Sequence, residues 1–344
     1  VTPWGTSLAR RWGRPAMLPT AVVSVGIGIG LFIASSGSIT AFLVGTIIAT
    51  VALNIVFPLI TTTYSQVFPP AEVGRRVGWG MSVKVFFSGV FGIAVGEFLT
   101  HRIDLWWVVV ASGGVLALVM AAIELRMPSE PIPPVAGVRA SGRPHFHLMS
   151  EDRRLRLTIS AWMLMGFGNL MLLPLRVEYL AQPRYGIDAS PAKILVLTAV
   201  VPAVVRLLTM PVFGQLFDRI NFFAGRILVN VLFALYIAAF FTGTNDVGLT
   251  IGSVLFGIAS AGGDIMWTLW VVKFAPPDRT ADYMGLHTFF TGVRVFFAPL
   301  LAFAIVDHVS LVWIAVISSA LIIAASVLLV PDYRVERANR AAAH

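Results

Sequence analysis

The sequence contains no cysteine. Without thiols, the chain forms no disulfide, offers no thiolate nucleophile and has no cysteine ligand for a metal. It is also poor in charge, because only 12% of its 344 residues are Asp, Glu, Lys or Arg. A soluble globular domain carries about 25% charged residues. This shortage excludes an ordinary water-soluble protein.

Apolar residues take the place of the missing charges. They make up 57% of the chain, and the mean hydropathy is +0.85. A lipid bilayer solvates such a surface, whereas water does not. The net charge of +8 would also fit a nucleic-acid binder, but the charges lie in short connections between apolar segments. The sequence therefore predicts an integral membrane protein whose surroundings are lipid, with no nucleic-acid partner.

Ten apolar segments are long enough to cross a hydrocarbon core, which takes about 20 helical residues. They are continuous, whereas barrel strands would alternate polar and apolar residues. The sequence therefore predicts an all-α membrane protein with about ten transmembrane helices. The segments lie at approximately 17–36, 39–66, 77–99, 105–125, 157–180, 192–217, 227–243, 248–274, 284–306 and 309–331.

Basic residues are distributed unevenly over the connections. Alternate connections, including both ends of the chain, hold 18 of the 25 Lys and Arg. The opposite side holds three, Arg102 and Arg184 in connections and Arg176 near the outer end of its segment, and the other four lie deeper within the apolar segments. By the positive-inside rule, the first set is cytoplasmic. We expect a multi-pass protein of the cell membrane, the inner membrane in a bacterium, with both given termini in the cytoplasm. We also expect Arg176 to lie near water at the outer end of its helix.

The longest connection is rich in proline and ends in a run of charges at residues 151–156. Such a composition is typical of an extended linker between domains. We expect an N-terminal bundle of four helices at 1–126, a cytoplasmic linker at 127–155, a six-helix bundle at 156–331 and a cytoplasmic tail at 332–344.

Two pairs of cytoplasmic loops indicate an internal duplication. The loop that begins at Phe68 is similar to the loop that begins at Ala275, with an offset of 207 between their prolines. The loops that begin at Gly5 and Gly214 are offset by 209. Two loop pairs at nearly one spacing indicate a duplicated bundle. The counterparts of the first two helices of the second half would precede Val1, so we expect two further helices there.

A glycine followed by charged residues recurs in two of these loops. The residues are Gly214, Asp218, Arg219, Gly225 and Arg226 in the second half, and Gly5, Arg10 and Arg14 in the first. The second-half segment resembles the G-x-x-x-D-R-x-G-R loop signature of the major facilitator superfamily, with four additional residues before its Gly-Arg pair. In the first-half segment, Ala9 stands where the signature has an acid.

The resemblance implies a two-bundle fold of twelve helices, of which this chain supplies the third to the twelfth. It also implies a central solute site that opens alternately to each side of the membrane, and loop charges that hold one conformation of the bundles. The alternative for the loop arginines is that they only fix the membrane topology. We therefore expect a secondary transporter that acts as a monomer on a small solute, either with or without a coupled proton, and that has no catalytic residues, cofactor or metal. The alternatives are a multi-spanning membrane enzyme, a channel or a non-functional transporter fragment.

Three charged residues, Arg206, Asp264 and Arg294, lie ten or eleven residues from the cytoplasmic ends of their helices. At 1.5 Å per residue, this depth is roughly 15 Å, close to the middle of the membrane. Charges at that depth are costly and normally face a cavity or one another. We hypothesise that Arg206 and Arg294 attract an anionic or carboxylate-bearing solute, with Asp264 as counter-ion or proton carrier. Asn169 and Trp267 are further candidates for the site. The alternative is a buried ion pair that holds the helices in register.

Overall fold

The computed structural model describes residues 14–34, 38–126, 146–242, 244–276 and 278–342. Within them, the chain is helical and forms no strand. Ten long helices follow one another, in agreement with the predicted number. They are α1 (Arg14–Ala34), α2 (Ile39–Val67), α3 (Val73–His101), α4 (Trp106–Glu124), α5 (Arg153–Ala181), α6 (Pro191–Arg219), α7 (Phe222–Phe241), α8 (Asp246–Phe274), α9 (Thr280–Ile305) and α10 (Leu311–Ala342).

Nine of the helices in the described residues are long and apolar enough to cross a membrane. The helix α1 contributes a shorter apolar stretch, Pro19–Leu31. Large apolar side chains cover the outward faces, since Ile47, Phe87, Ile93 and Leu208 are each more than half exposed. Such faces are unfavourable in water and favourable in lipid. The predicted class, an all-α membrane protein, is confirmed.

Several helix boundaries differ from the predicted apolar segments, and the two largest differences are in α7 and α10. The helix α7 begins at Phe222 rather than near 227, because the Asn221 side chain accepts hydrogen bonds from the backbone N–H groups of Phe223 (2.7 Å) and Ala224 (3.1 Å) and so caps the first turn. The helix α10 continues to Ala342, so the described part of the expected tail at 332–344 is helical. The tail residues favour helix, and Asp332 is buried and pairs with Arg153 at 3.4 Å.

The chain divides into two compact units. The first comprises Val1–Pro69, Phe87–His147 and Phe274–Phe289, and within it α1 packs against α2 and α4. The second comprises Pro70–Phe86, Leu148–Lys273 and Phe290–His344, and within it α10 packs against α5 and α7. Residues 127–145 of the predicted linker lie outside the described residues, and the boundaries expected from the sequence remain a prediction.

Arg176 corrects one expectation. It lies in α5 with 2% of its surface exposed, and its guanidinium carbon is 4.2 Å from the centre of the Phe256 ring. Its Nη2 donates hydrogen bonds to the carbonyls of Leu197 (3.0 Å) and Thr198 (3.2 Å), which belong to a π-helical turn at Val196–Val200 of α6. A π turn changes the backbone pairing and makes carbonyls available to a donor. Arg176 is therefore buried among helices and not close to water.

Candidate functional site

A cavity of about 250 Å³ lies inside the second unit, lined by α5, α6, α7, α8 and α9. The three deep charges and the two further candidates predicted from the sequence line it. They are Asn169, Arg206, Asp264, Trp267 and Arg294, and the structure adds Arg226. Depth along the helices indicated this grouping for the three charged residues, because residues at similar depth on inward faces meet in the centre of a bundle.

Arg206 of α6 and Asp264 of α8 form an ion pair in the wall of the cavity. Their side chains remain 38% and 36% exposed, so the pair is open to the cavity rather than enclosed by protein. Lys84 of α3, itself exposed, also acts electrostatically on Asp264. The Asp264 carboxylate therefore already has a cation partner in Arg206.

Arg294 of α9 has no such carboxylate partner in the described residues. It is 6% exposed, and its Nη1 donates a hydrogen bond to the carbonyl of Trp162 in α5. To reach this carbonyl, the side chain passes over Gly166, where an added Cβ would lie 2.6 Å from Nη1. Gly166 thus provides the space in which the guanidinium lies.

Arg226 is the functional candidate that sequence reasoning placed elsewhere. The loop signature predicts a cytoplasmic loop position for it, but it lies inside α7 with 2% of its surface exposed. Its guanidinium carbon is 3.6 Å from the centre of the Trp162 ring, a cation–π contact. Its Nη1 and Nη2 atoms are buried, and no described residue accepts a hydrogen bond from them. The capping residue Asn221 followed by two phenylalanines was the sequence signal for the earlier helix start.

Two further candidates complete the wall. Trp267 of α8 donates a hydrogen bond from its indole nitrogen to the hydroxyl of Thr291 in α9 at 3.3 Å. The side-chain oxygen of Asn169 is buried and accepts no hydrogen bond from the described residues. The cavity therefore combines cations, an amide and indole surfaces, which is the composition expected of a small-molecule site.

Outside the cavity, Asp218 caps another helix of the same unit. Its two carboxylate oxygens accept hydrogen bonds from the backbone N–H groups of Gly74 (2.7 Å) and Arg75 (2.8 Å) at the start of α3. A carboxylate is stabilised there by free N–H groups and by the helix dipole. The backbones meet closely, since a Cβ on Gly214 would lie 3.0 Å from the carbonyl carbon of Gly74. Two glycines at one crossing allow this contact.

The family model described as "Major Facilitator Superfamily" matches residues 1–290. The chain belongs to the Major Facilitator Superfamily. This confirms the family inferred from the loop residues, and with it membrane transport as the general role. A comparison with curated proteins finds no matching sequence.

Solved transporter structures of the superfamily share the fold. The human organic anion transporter MFSD10 (TETRAN) is 15% identical with a TM-score of 0.76, covering 95% of this chain and 80% of that one. The E. coli fucose:proton symporter is 13% identical with a TM-score of 0.72, covering 96% and 86%. The proton:xylose symporter XylE is 15% identical with a TM-score of 0.71, covering 95% and 82%. At these identities, the likeness concerns the fold.

The superfamily loop residues of this chain occupy several different environments. Gly214 and Asp218 contact the start of α3, whereas Arg219 is exposed at the end of α6. Gly225 lies in α7, where an added Cβ would be 3.0 Å from the Ile220 side chain, so its small size serves packing. The corresponding first-half candidates Gly5 and Arg10, and the side chain of Arg14, lie outside the described residues. A conformational role for these residues stays a prediction.

Proposed function

We propose that this protein is a secondary active transporter that moves a small organic anion by alternating access. The observation that carries the proposal is the charge of the cavity. Three arginines, Arg206, Arg226 and Arg294, line it together with one acid, Asp264. Burying unbalanced cations inside a membrane is costly, and such residues normally serve a transported ion or ligand. An anionic solute supplies the missing negative charge.

The chemistry of the wall supports a carboxylate-bearing solute. A guanidinium presents N–H donors in a planar fork that matches the two oxygens of a carboxylate. The guanidinium of Arg226 is buried and has N–H donors without an acceptor in the described residues. The indoles of Trp162 and Trp267 offer apolar surface for the carbon skeleton of the solute. The name of one structural neighbour, an organic anion transporter, agrees with this solute class.

We further propose that Asp264 carries a proton during the transport cycle. Protonation removes the charge that holds Arg206 and so frees this arginine to attract the solute. Two structural neighbours are named proton symporters, in agreement with this coupling.

Uptake into proteoliposomes tests the transport proposal. We expect the purified chain to accumulate radiolabelled carboxylates such as succinate, and to accumulate more when the outside is acidic. The variant Arg337→Gln, which removes an exposed arginine of the same unit, is the matched control and should behave as wild type. Equal uptake of a neutral sugar and of carboxylates would contradict an anionic solute. Uptake that does not respond to a pH gradient would contradict proton coupling.

We also propose that the protein works as a monomer in the cell membrane with both given termini in the cytoplasm. The asymmetry of the basic residues, 18 of 25 in one set of connections, supports this orientation. Reporter fusions after Arg337 and at Asp246 should then indicate opposite sides of the membrane. The same side for both would contradict the orientation.

The position of Arg294 is testable apart from its charge. Gly166→Ala adds one methyl group where the Arg294 side chain lies, so the guanidinium must move away from the Trp162 carbonyl. We expect uptake to fall about tenfold, which corresponds to the free energy of one lost charge-assisted hydrogen bond. The folded yield should be normal, because the flexible Arg294 side chain can move aside. Gly292→Ala is the matched control, since Gly292 lies on the same helix as Arg294 and faces open space. Equal uptake by both variants would contradict the positioning role of Gly166.

A further inference from the structure

We propose that the transported solute is a dianion, and that Arg226 and Arg294 together bind its two negative charges beside the indole of Trp162. This inference rests on the proposed transport of an anion and makes it more specific, since it sets the charge of the solute.

The first step is that both arginines are buried cations with unused donors. They are 2% and 6% exposed, and arginine remains protonated inside proteins. Nη1 and Nη2 of Arg226 and Nε of Arg294 are buried without an acceptor in the described residues. Buried guanidinium donors that find no acceptor are strongly unfavourable. These three nitrogens therefore define a site for acceptor oxygens supplied by a ligand.

The second step is the charge balance of the cavity. Asp264 is the one acid among the described residues that line it, and its carboxylate is engaged by Arg206 and acted on by Lys84. Arg226 and Arg294 repel each other and share no acid of their own. A monoanion would neutralise one of the two and leave the other buried and unbalanced. A dianion neutralises both.

The third step is that both cations lie around one ring. Their guanidinium carbons are 3.6 Å and 5.7 Å from the centre of the same Trp162 ring, so at most about 9 Å separates them. One small molecule that fits a cavity of about 250 Å³ can therefore place a negative charge at each of them. Short dicarboxylates and phosphate monoesters share this chemistry. Each presents several acceptor oxygens, which suits a pair of guanidinium forks.

Binding to the wild-type protein tests the proposal without any substitution. The purified full chain is titrated in lipid nanodiscs at pH 7.5 and constant ionic strength with sodium succinate, glycerol 3-phosphate or butyrate, and the shift of the thermal unfolding midpoint gives the apparent Kd. We expect succinate or glycerol 3-phosphate to bind at least about tenfold more tightly than butyrate, because only a dianion engages both guanidiniums. The dianion that binds more tightly shows whether the solute is a dicarboxylate or a phosphate monoester.

Two negative results separate this inference from the proposed function. If butyrate binds as tightly as both dianions, the dianion is wrong while an anion transporter stands. If none of the three anions binds and none is taken up by proteoliposomes, both proposals are wrong.

Variants of Arg226 test whether this residue binds the second negative charge of the solute. Arg226→Gln leaves Arg294 as the remaining unbalanced cation, so we expect the preference for dianions over butyrate to disappear while butyrate binding persists. The control Arg337→Gln, which removes the same charge from an exposed position, should keep the wild-type preference. A wild-type preference in Arg226→Gln would overturn the role of Arg226.

If this variant does not fold, Arg226→Lys retains the charge, and we expect it to retain the preference with weaker binding because the planar fork is lost. Loss of the preference in Arg226→Lys would also contradict the proposal.

Discussion

Replacing Arg294 by glutamine should reduce solute uptake by about 100-fold, the largest loss we expect from any single change in the cavity. The guanidinium is buried and donates to the Trp162 carbonyl, and it lies beside Arg226 on the solute site. Glutamine keeps a hydrogen-bond donor but removes the charge. Initial uptake rates of radiolabelled succinate in proteoliposomes, divided by the amount of folded protein, measure the effect, and Arg337→Gln is the control.

The deep charges could bind the solute and the proton, or they could form an ion pair that only holds the helices in place. A double variant distinguishes these two interpretations. Asp264→Asn and Arg206→Gln each leave one charged partner in the cavity wall, so each should lower the folded yield. The double variant removes both charges and should restore the yield. We expect uptake to stay low in the double variant, because the solute and the proton use these groups. Full recovery of uptake would show that the pair only holds the helices.

Replacing Gly74 by valine should destabilise the protein by several kcal/mol, at the scale of an overpacked contact together with a lost helix cap. A Cβ at Gly74 would lie 2.7 Å from the Asp218 carboxylate and 2.9 Å from the Phe217 ring, and it would also meet the Gly214 carbonyl. The crossing of α3 and α6 must then open, and the hydrogen bonds from Gly74 and Arg75 to Asp218 are lost.

The thermal unfolding midpoint and the folded yield in detergent measure this effect. Gly80→Val is the matched control, because Gly80 lies on the same helix and an added Cβ there meets no atom within 4 Å. We expect the control to unfold at nearly the wild-type temperature. Equal midpoints for the two variants would contradict the importance of the close crossing.

Helix depth explains why most of the cavity could be predicted. Arg206, Asp264 and Arg294 are charges within apolar segments, and a fixed rise per residue converts their position in the sequence into depth. Their exclusion from lipid then requires that they face inward, so a common cavity follows. The pairing did not follow, because Asp264 could have joined either arginine. Which of the two it contacts depends on the angles between α6, α8 and α9, and these angles are properties of packing.

Arg226 and Arg176 show where local patterns were insufficient. The similarity to a loop signature favoured a loop position for Arg226, although the Asn221 cap starts the helix before it. The position of Arg176 in the sequence predicts that it lies near water, whereas aromatic rings and the carbonyls of a π turn surround it. What a buried arginine contacts is decided by distant residues, which are carbonyls and aromatic rings for Arg176 and the Trp162 ring for Arg226.

The amino-acid sequence alone determined the membrane class, the ten helices, the family and the depth of the three charges. The membrane class, the helices and the depths depend on composition, on continuous apolar length and on the helical rise, and the family was inferred from a short loop motif. All of these are local along the chain. The tertiary structure decided that Asp264 pairs with Arg206, that Arg226 joins Arg294 at Trp162, and that Asp218 caps α3 from a position 144 residues away. These contacts join distant segments, and their geometry is set by how side chains of different helices fit together, which no single segment encodes.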